Sequence, residues 1–301
     1  NGVVETWSTL MPYCSLYHMR REIPMPDPTI PIHMRDEMER ALVAVRGGRE
    51  DIRLCGLYMK RILYKIAPLP EKQLKWWDGS DFESYLPAVR LLANRGYQVL
   101  LTGDLEIPTE VAEEFGGLFV DARILGVDAN LFRLYAALHT DAFIADCGGG
   151  WLLGGLVADR DALVVNVFPF YTSCGTQTGK HWLYYKHAYD TQGSHVPFRD
   201  IVQKYPFACK QFEDRQQHGH AHPFEHHYLP DGYDVLPNTA DEILEAVHYY
   251  VEEIERPGSS KVDADLENTW PEYSLFKISG AHISPAFVTN YYEKYEKMDV
   301  A

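Results

Sequence analysis

The 301-residue sequence is short of basic charge: 28 Lys and Arg stand against 43 Asp and Glu, a formal net charge of −15. A general nucleic-acid binder needs a basic face to displace counterions, so that class is excluded, while a local basic pocket for a small anion is not. The sequence also lacks any run of about 18 apolar residues, so no transmembrane segment is expected. The opening NGVVETWSTLMPYC has neither the basic start nor the apolar block of a secretory signal. It also lacks an initiator Met, which reads as a processed product or the rear part of a longer chain. The five cysteines, Cys14, Cys55, Cys147, Cys174 and Cys209, show no Cys-x-x-Cys spacing and so give no zinc or disulfide framework. Reduced thiols in a cytoplasmic setting are the plain reading. Three phosphate or nucleophile signatures are missing too: G-x-G-x-x-G, Gly-Lys-Ser/Thr and G-x-S-x-G.

What is present suffices for a core. Hydrophobic residues make up 46% and charged residues 24%, which excludes wholesale disorder. The first 35 or so residues, with IPMPDPTIPIHM, read as an extended lead-in, because X-Pro pairs disfavour helix. MRDEMERALVAVR (34–46) has helical spacing and is stopped by Gly47 and Gly48. IRLCGLYM (52–59) is a buried strand. A rhythm then sets in: helix 81–95 capped by Asp81, strand 97–104, helix 108–115, strand 118–121, helix 130–140, strand 141–147, helix WLLGGLVA, strand 162–170. Strands alternating with helices mean a parallel sheet with crossover helices, an α/β, Rossmann-like architecture. FRDIVQKY (198–205) is a short helix, YDVLPN (233–238) a short strand, ADEILEAVHYYVEEIE a helix capped by Thr239, and SPAFVTNYYEKYEK a last helical stretch.

The sharpest local feature is FIADCGGGWLLGG (143–155), a strand running into Gly148, Gly149 and Gly150 and then a helix. Glycines admit close backbone approach, and a helix N-terminus offers N–H groups to phosphate. Polar residues collect at the same strand ends: Lys60 and Arg61, Gly103 and Asp104, Asp121 and Arg123, Asp146 and Cys147. Two cations there suit a diphosphate. Lys186, in HWLYYKHAY, can reach a phosphate or a sugar hydroxyl, or be a surface lysine. A helix start would depress the Cys147 thiol, and Cys147 with His139 is a conceivable nucleophile pair. QHGHAHPFEHH reads as a solvated loop, with His218, His220 and His222 as a metal-ligand alternative.

In order along the chain come LCGLYMK (54–60), DFESYLPAVRLLANRGYQVLLTGD (81–104), LYAALHTDAFIADCGGGWLLGGLVADRDALVVNVFPF (134–170), YYKHAYDTQGSHVPFRDIV (184–202), VLPNTADEILEAV (235–247) and ISPAFVTNYYEKY (283–295). This ordered set resembles a bacterial family of GT-B-type glycosyltransferases, often attached to tetratricopeptide regions and distantly similar to fucosyltransferases. The resemblance covers roughly residues 52–292. It implies a GT-B donor domain holding a nucleotide sugar, a GDP- or UDP-sugar, with the diphosphate at Gly148–Gly150. Lys60, Asp104 and Lys186 fall on the family's basic residue after the first strand, its Gly-Asp after the second and its lysine beyond the fifth. Cys147, Gly148 and Gly149 replace its hydroxyl residues in the glycine turn. Arg61 stands where it has an acid, and Leu101 or Thr102 where it has an arginine.

The implied division is an N-terminal extension or remnant of an acceptor domain over 1–50, a Rossmann-like nucleotide-sugar-binding domain over 51–256 and a helical tail over 257–301. Only about 50 residues precede the first matched strand, so the N-terminal region is truncated or minimal. A partner chain or homo-oligomer could supply the acceptor half. The implied reaction is inverting sugar transfer to a glycan or other hydroxyl acceptor, with no required cofactor or metal. The alternative is a non-catalytic nucleotide- or glycan-binding module derived from such a domain.

Overall fold

The structure, a computed structural model, describes residues 29–49, 51–60, 79–148, 150–151, 153–158, 160–168, 181–197, 233–259 and 281–290. Arg61, Gly149, His218, His220, His222, the segment 198–205 and the whole His-rich loop lie outside them.

Seven strands form one parallel sheet: β1 (Arg53–Met59), β2 (Tyr97–Gly103), β3 (Phe119–Val120), β4 (Ala142–Asp146), β5 (Ala162–Val167), β6 (His181–Tyr185) and β9 (Ala281–Ile283). Their spatial order is β3-β2-β1-β4-β5-β6-β9. The sheet is α/β and Rossmann-like, with a topological switch between β1 and β4. A separate antiparallel pair joins β7 (His187–Tyr189) and β8 (Asp234–Leu236).

The helices divide between the two faces. α2 (Phe82–Asn94) and α6 (Ala240–Glu255) pack together on one face. The other face carries α1 (Ile32–Val45), α4 (Ala122–Leu125) and α5 (Ala129–His139). α3 (Thr109–Phe115) follows β2, and α7 (Pro285–Phe287) rests on β6 and α6. With both faces covered, β4 and β5 are buried at every position, and apolar except at Asp146 and Asn166. Alternation still assigns each side chain to a face. Cys55, Leu57 and Met59 join the cluster under α2 and α6, whereas Leu54 packs on the α5 side.

Most helix boundaries follow local chemistry. Asp81 caps α2 by accepting from Ser84 N at 2.9 Å. Thr239 and Glu242 form a reciprocal capping box on α6. Gly96 ends the α2 connection at φ +82.

The largest departure is WLLGGLVA. It is helical as read, but its described residues combine an α-helical Trp151 with a five-residue π-helix, Leu153–Val157. The reason is packing: a Cβ on Gly154 would lie 2.7 Å from the Phe143 ring, and one on Gly155 2.8 Å from His181. These glycines press the segment onto the sheet. Three strands were not legible as strands: HWLYYKHAY, read only as an aromatic and basic stretch, holds β6 and β7, and Ala281–Ile283, just before the last helical stretch, is β9. Of that stretch only α7 and a short π turn fall among the described residues.

Candidate functional site

The carboxyl ends of β1, β2, β4 and β5 meet where a parallel sheet places its ligands. The sheet splits this edge into two sides.

On the α2–α6 side lies a buried polar network. Asp146, 1% exposed, accepts from Lys60 N at 2.9 Å, from Asn166 Nδ2 at 2.7 Å and from the Tyr85 hydroxyl. Burial raises its carboxyl pKa, opposed by these hydrogen bonds and by the charge of Lys186. Asn166 stands at φ +54, the left-handed region, where the β5–β6 register shifts. From there it reaches Asp146, Tyr85 and Ser80 with its amide. Asn238 ties the network to Tyr185 O at 2.9 Å. Gly79 closes it, since a Cβ there would overlap the Asp146 carboxylate. Asp146 is therefore enclosed by protein donors, and its part in the site is to fix the backbone at Lys60.

On the α5 side, Lys60 lies across the glycine turn. A Cβ on Gly148 would sit 2.7 Å from Lys60 Cδ, and one on Gly150 would overlap the Tyr58 ring. Tyr58 and Lys60 are two residues apart on one strand and so share a face. Lys60 Nζ donates to Cys147 O at 3.3 Å. Lys186, expected to be exposed if uninvolved, is 1% exposed. Its charge and that of Lys60 both pull the Cys147 thiol pKa down, but burial prevails and the thiol is raised. The depressed thiol expected from a helix start is thus corrected, because burial dominates. His139 ends α5 at the amino edge of the sheet, whereas Cys147 follows β4 at the carboxyl edge, so they form no nucleophile pair.

Next to Tyr58 opens a cavity of about 200 Å³, lined by Thr102, Gly103, Asp104, Arg133, Phe143 and Gly150 among others. Gly103 is fixed at φ +114, where a Cβ would overlap Met59 O. Its carbonyl accepts from Arg133 Nη2 at 2.9 Å. Burial first, then the charge of Asp104, pushes the Tyr58 phenol up to about 12. A roomier cavity, about 890 Å³, lies at the amino edge between α1 and α5, beside His139 and Asp141. It is remote from the glycine turn and both lysines.

The structure thus brings together Lys60, Gly103, Asp104, Cys147, Gly148, Gly150 and Lys186 at one edge, with Asp146 buried behind them. Asp121 and Arg123 serve the turn instead. Asp121 caps α4 and accepts from Ile107 N at 2.9 Å, and Arg123 donates to Ile107 O at 2.7 Å. Sequence reasoning missed Tyr58, Arg133, Asn166 and Asn238. Strand alternation from Lys60 would have found Tyr58; nothing local marks the others.

Chemically, an ammonium group lying across a backbone turn, as Lys60 does, can receive an anion. Among the described residues no group of His, Cys, Asp and Glu is placed to hold a metal ion. No helix there is long and apolar enough to cross a membrane. No family model, curated protein or solved structure matches the chain.

Proposed function

We propose that the chain binds a nucleoside-diphosphate sugar at the carboxyl edge of its sheet and transfers the sugar to a hydroxyl acceptor by a metal-independent, inverting GT-B route. The observation that carries this reading is Lys60, whose Nζ donates to Cys147 O at the entrance to the glycine turn, with the charge of the buried Lys186 bearing on the same residue. Their charges would offset that developing on a departing nucleoside diphosphate, the term that usually dominates group transfer. Asp146 holds Lys60 N and so positions that lysine's backbone. The base that deprotonates the acceptor, and the acceptor surface, would come from outside this edge, from another part of the protein or a partner chain.

A second reading is a non-catalytic nucleotide or glycan binder. It is favoured by one observation: the space over Gly148 and Gly150 is filled by Lys60 and Tyr58, so the glycines serve close packing in this state.

A thermal-shift panel of GDP, UDP, ADP and CMP without added metal tests binding. Incubation of the matching sugar nucleotides with glycan acceptors, reading nucleoside diphosphate release and glycosylated product, tests transfer. Binding with neither product nor hydrolysis selects the binder. No binding at millimolar nucleotide rejects the transferase and the nucleotide binder and leaves only the glycan binder.

A further inference from the structure

The cavity at the amino edge, about 890 Å³, has no part in the nucleotide reading. Its walls come from the second half of α1, the start of β1 and the end of α5. A volume of this order suits a small organic ligand rather than a single ion.

Two groups on the wall keep open hydrogen-bonding capacity. Tyr135 is 2% exposed, yet among the described residues nothing hydrogen-bonds its hydroxyl. The charges that act on this hydroxyl include Glu39, Arg46 and Asp141, all on the cavity wall, so it faces the cavity. Burial pushes the phenol up to about 12, and it stays protonated. The His139 ring packs 4.8 Å from the Tyr135 ring and likewise has no hydrogen-bond partner among the described residues. Burial first, then the charges of Arg160 and Arg35, holds His139 below its usual value. At neutral pH its ring is therefore uncharged, with one nitrogen donating and the other accepting.

Fixed ions of both signs surround the pair. Arg46, 7% exposed, donates to Gln98 Oε1 at 3.1 Å. Asp141 accepts from Leu54 N at 2.7 Å. Glu39 is paired with Arg35 one helical turn away, at 3.6 Å. Asp36 and Arg40 add one charge of each sign. An anion here would meet carboxylates and a cation would meet guanidinium groups, so neither is favoured. Between the ions lie apolar side chains, Leu42, Ile52 and Leu54 among them. A carboxylate only accepts hydrogen bonds and a guanidinium only donates, whereas a hydroxyl does both. The ligand that satisfies both kinds of wall, and still offers C–H faces to the apolar side chains, is a neutral polyhydroxylated ring.

We propose that this cavity binds a neutral saccharide of about two or three rings, held by Tyr135, His139 and Arg46 at the edge opposite the glycine turn. The inference is independent of the nucleotide reading: each survives the failure of the other.

The test is saturation-transfer NMR of the full chain with maltotriose, cellotriose, chitotriose and mannotriose at millimolar concentration, then titration of whichever binds. At least one is expected to bind. Tyr135→Phe, which keeps the ring, should leave the melting temperature nearly unchanged and weaken binding roughly fivefold, the loss of one neutral hydrogen bond. Ala44→Trp, at an exposed position of α1 on the cavity wall, should keep the fold, fill the cavity and abolish binding. No binding of any trisaccharide overturns the site. Unchanged affinity in either variant does the same, because the sugar then sits elsewhere. Binding of octanoate and of no sugar marks a cavity for apolar ligands and overturns the saccharide reading.

Discussion

Asn166 and Asn238, 72 positions apart, bind each other reciprocally: Asn166 N donates to Asn238 Oδ1 at 2.6 Å, and Asn238 N donates to Asn166 Oδ1 at 2.7 Å. The pair joins the end of β5 to the turn that starts α6, at the point where β5 breaks register. Asn238→Ala leaves the Asn166 N–H and the Tyr185 carbonyl without these partners, for an expected cost of about 3 kcal/mol. At Asn166 the backbone adds its own preference, since φ +54 is disfavoured for Ala and open to Gly. Both Asn166→Ala and Asn166→Gly should destabilise in urea titrations, with Ala the worse by about 1 kcal/mol. Equal costs would show that the network alone, and not the backbone conformation, sets the effect.

Glycine positions separate in the same assay. Gly96 has φ +82 with open space around it, so Gly96→Ala should cost only about 1 kcal/mol. Gly103 combines φ +114 with the Met59 carbonyl directly in the way, so Gly103→Ala should cost clearly more and shift the cavity wall. Similar midpoints for the two variants would contradict this geometry.

Acid should loosen the contact between β7, α6 and the last described segment. His187 Nε2 lies 2.6 Å from Glu242 Oε1, and His195 Nε2 lies 3.4 Å from His187 Nδ1. Burial first, then His187, lowers His195 to about 4. Burial opposes ionisation of Glu242, but His187 and the Thr239 N–H outweigh it and its carboxyl is lowered. Both native values lie below the unfolded ones, so the unfolded chain takes up protons first on acidification. The His195 contribution is present above pH 6.5 and is lost as pH falls toward 4, whereas the Glu242 contribution is lost only below the ordinary carboxylate value of 4.5. Urea midpoints measured across that range should decline, and His195→Gln should flatten the decline. A wild-type midpoint constant from pH 7 to 4 would refute the assignment.

Thiol chemistry offers a direct check on the glycine turn. Burial raises both Cys55 and Cys147. Iodoacetamide at pH 8, followed by peptide mass spectrometry, should label both far more slowly in native than in denatured protein. Rapid labelling of native Cys147 would restore the activated thiol that the sequence suggested.

In the proposed site, Lys60→Ala should lower nucleotide affinity by about tenfold or more while leaving the melting temperature of the free protein nearly unchanged. Calorimetry and melting curves on the same sample separate the two effects. Loss of stability without loss of affinity would make Lys60 a packing residue over Gly148.

By itself the sequence determined five of the seven strands of the sheet, β1 to β5, and most of their crossovers. Periods of 2 and 3.6 are local properties, as are Asp81, Thr239 and Gly96 as boundary residues. It also marked the edge where polar residues gather, because strand ends are visible wherever an apolar run stops. Four decisions were left to tertiary structure. Gly148 and Gly150, read as an anion-binding turn, lie against Lys60 and Tyr58, and Gly154 and Gly155 lie against Phe143 and His181. Lys186, between the end of β6 and the start of β7, proved buried. Ala281–Ile283 became a strand only because β6 offered a free edge. The Asp146–Asn166–Asn238 network unites residues far apart in sequence, whose side chains carry no shared local pattern. Periodicity reports how a segment meets water on average. Which atoms fill the space around a particular glycine or carboxylate depends on non-local packing, and that is settled only when the whole sheet has closed.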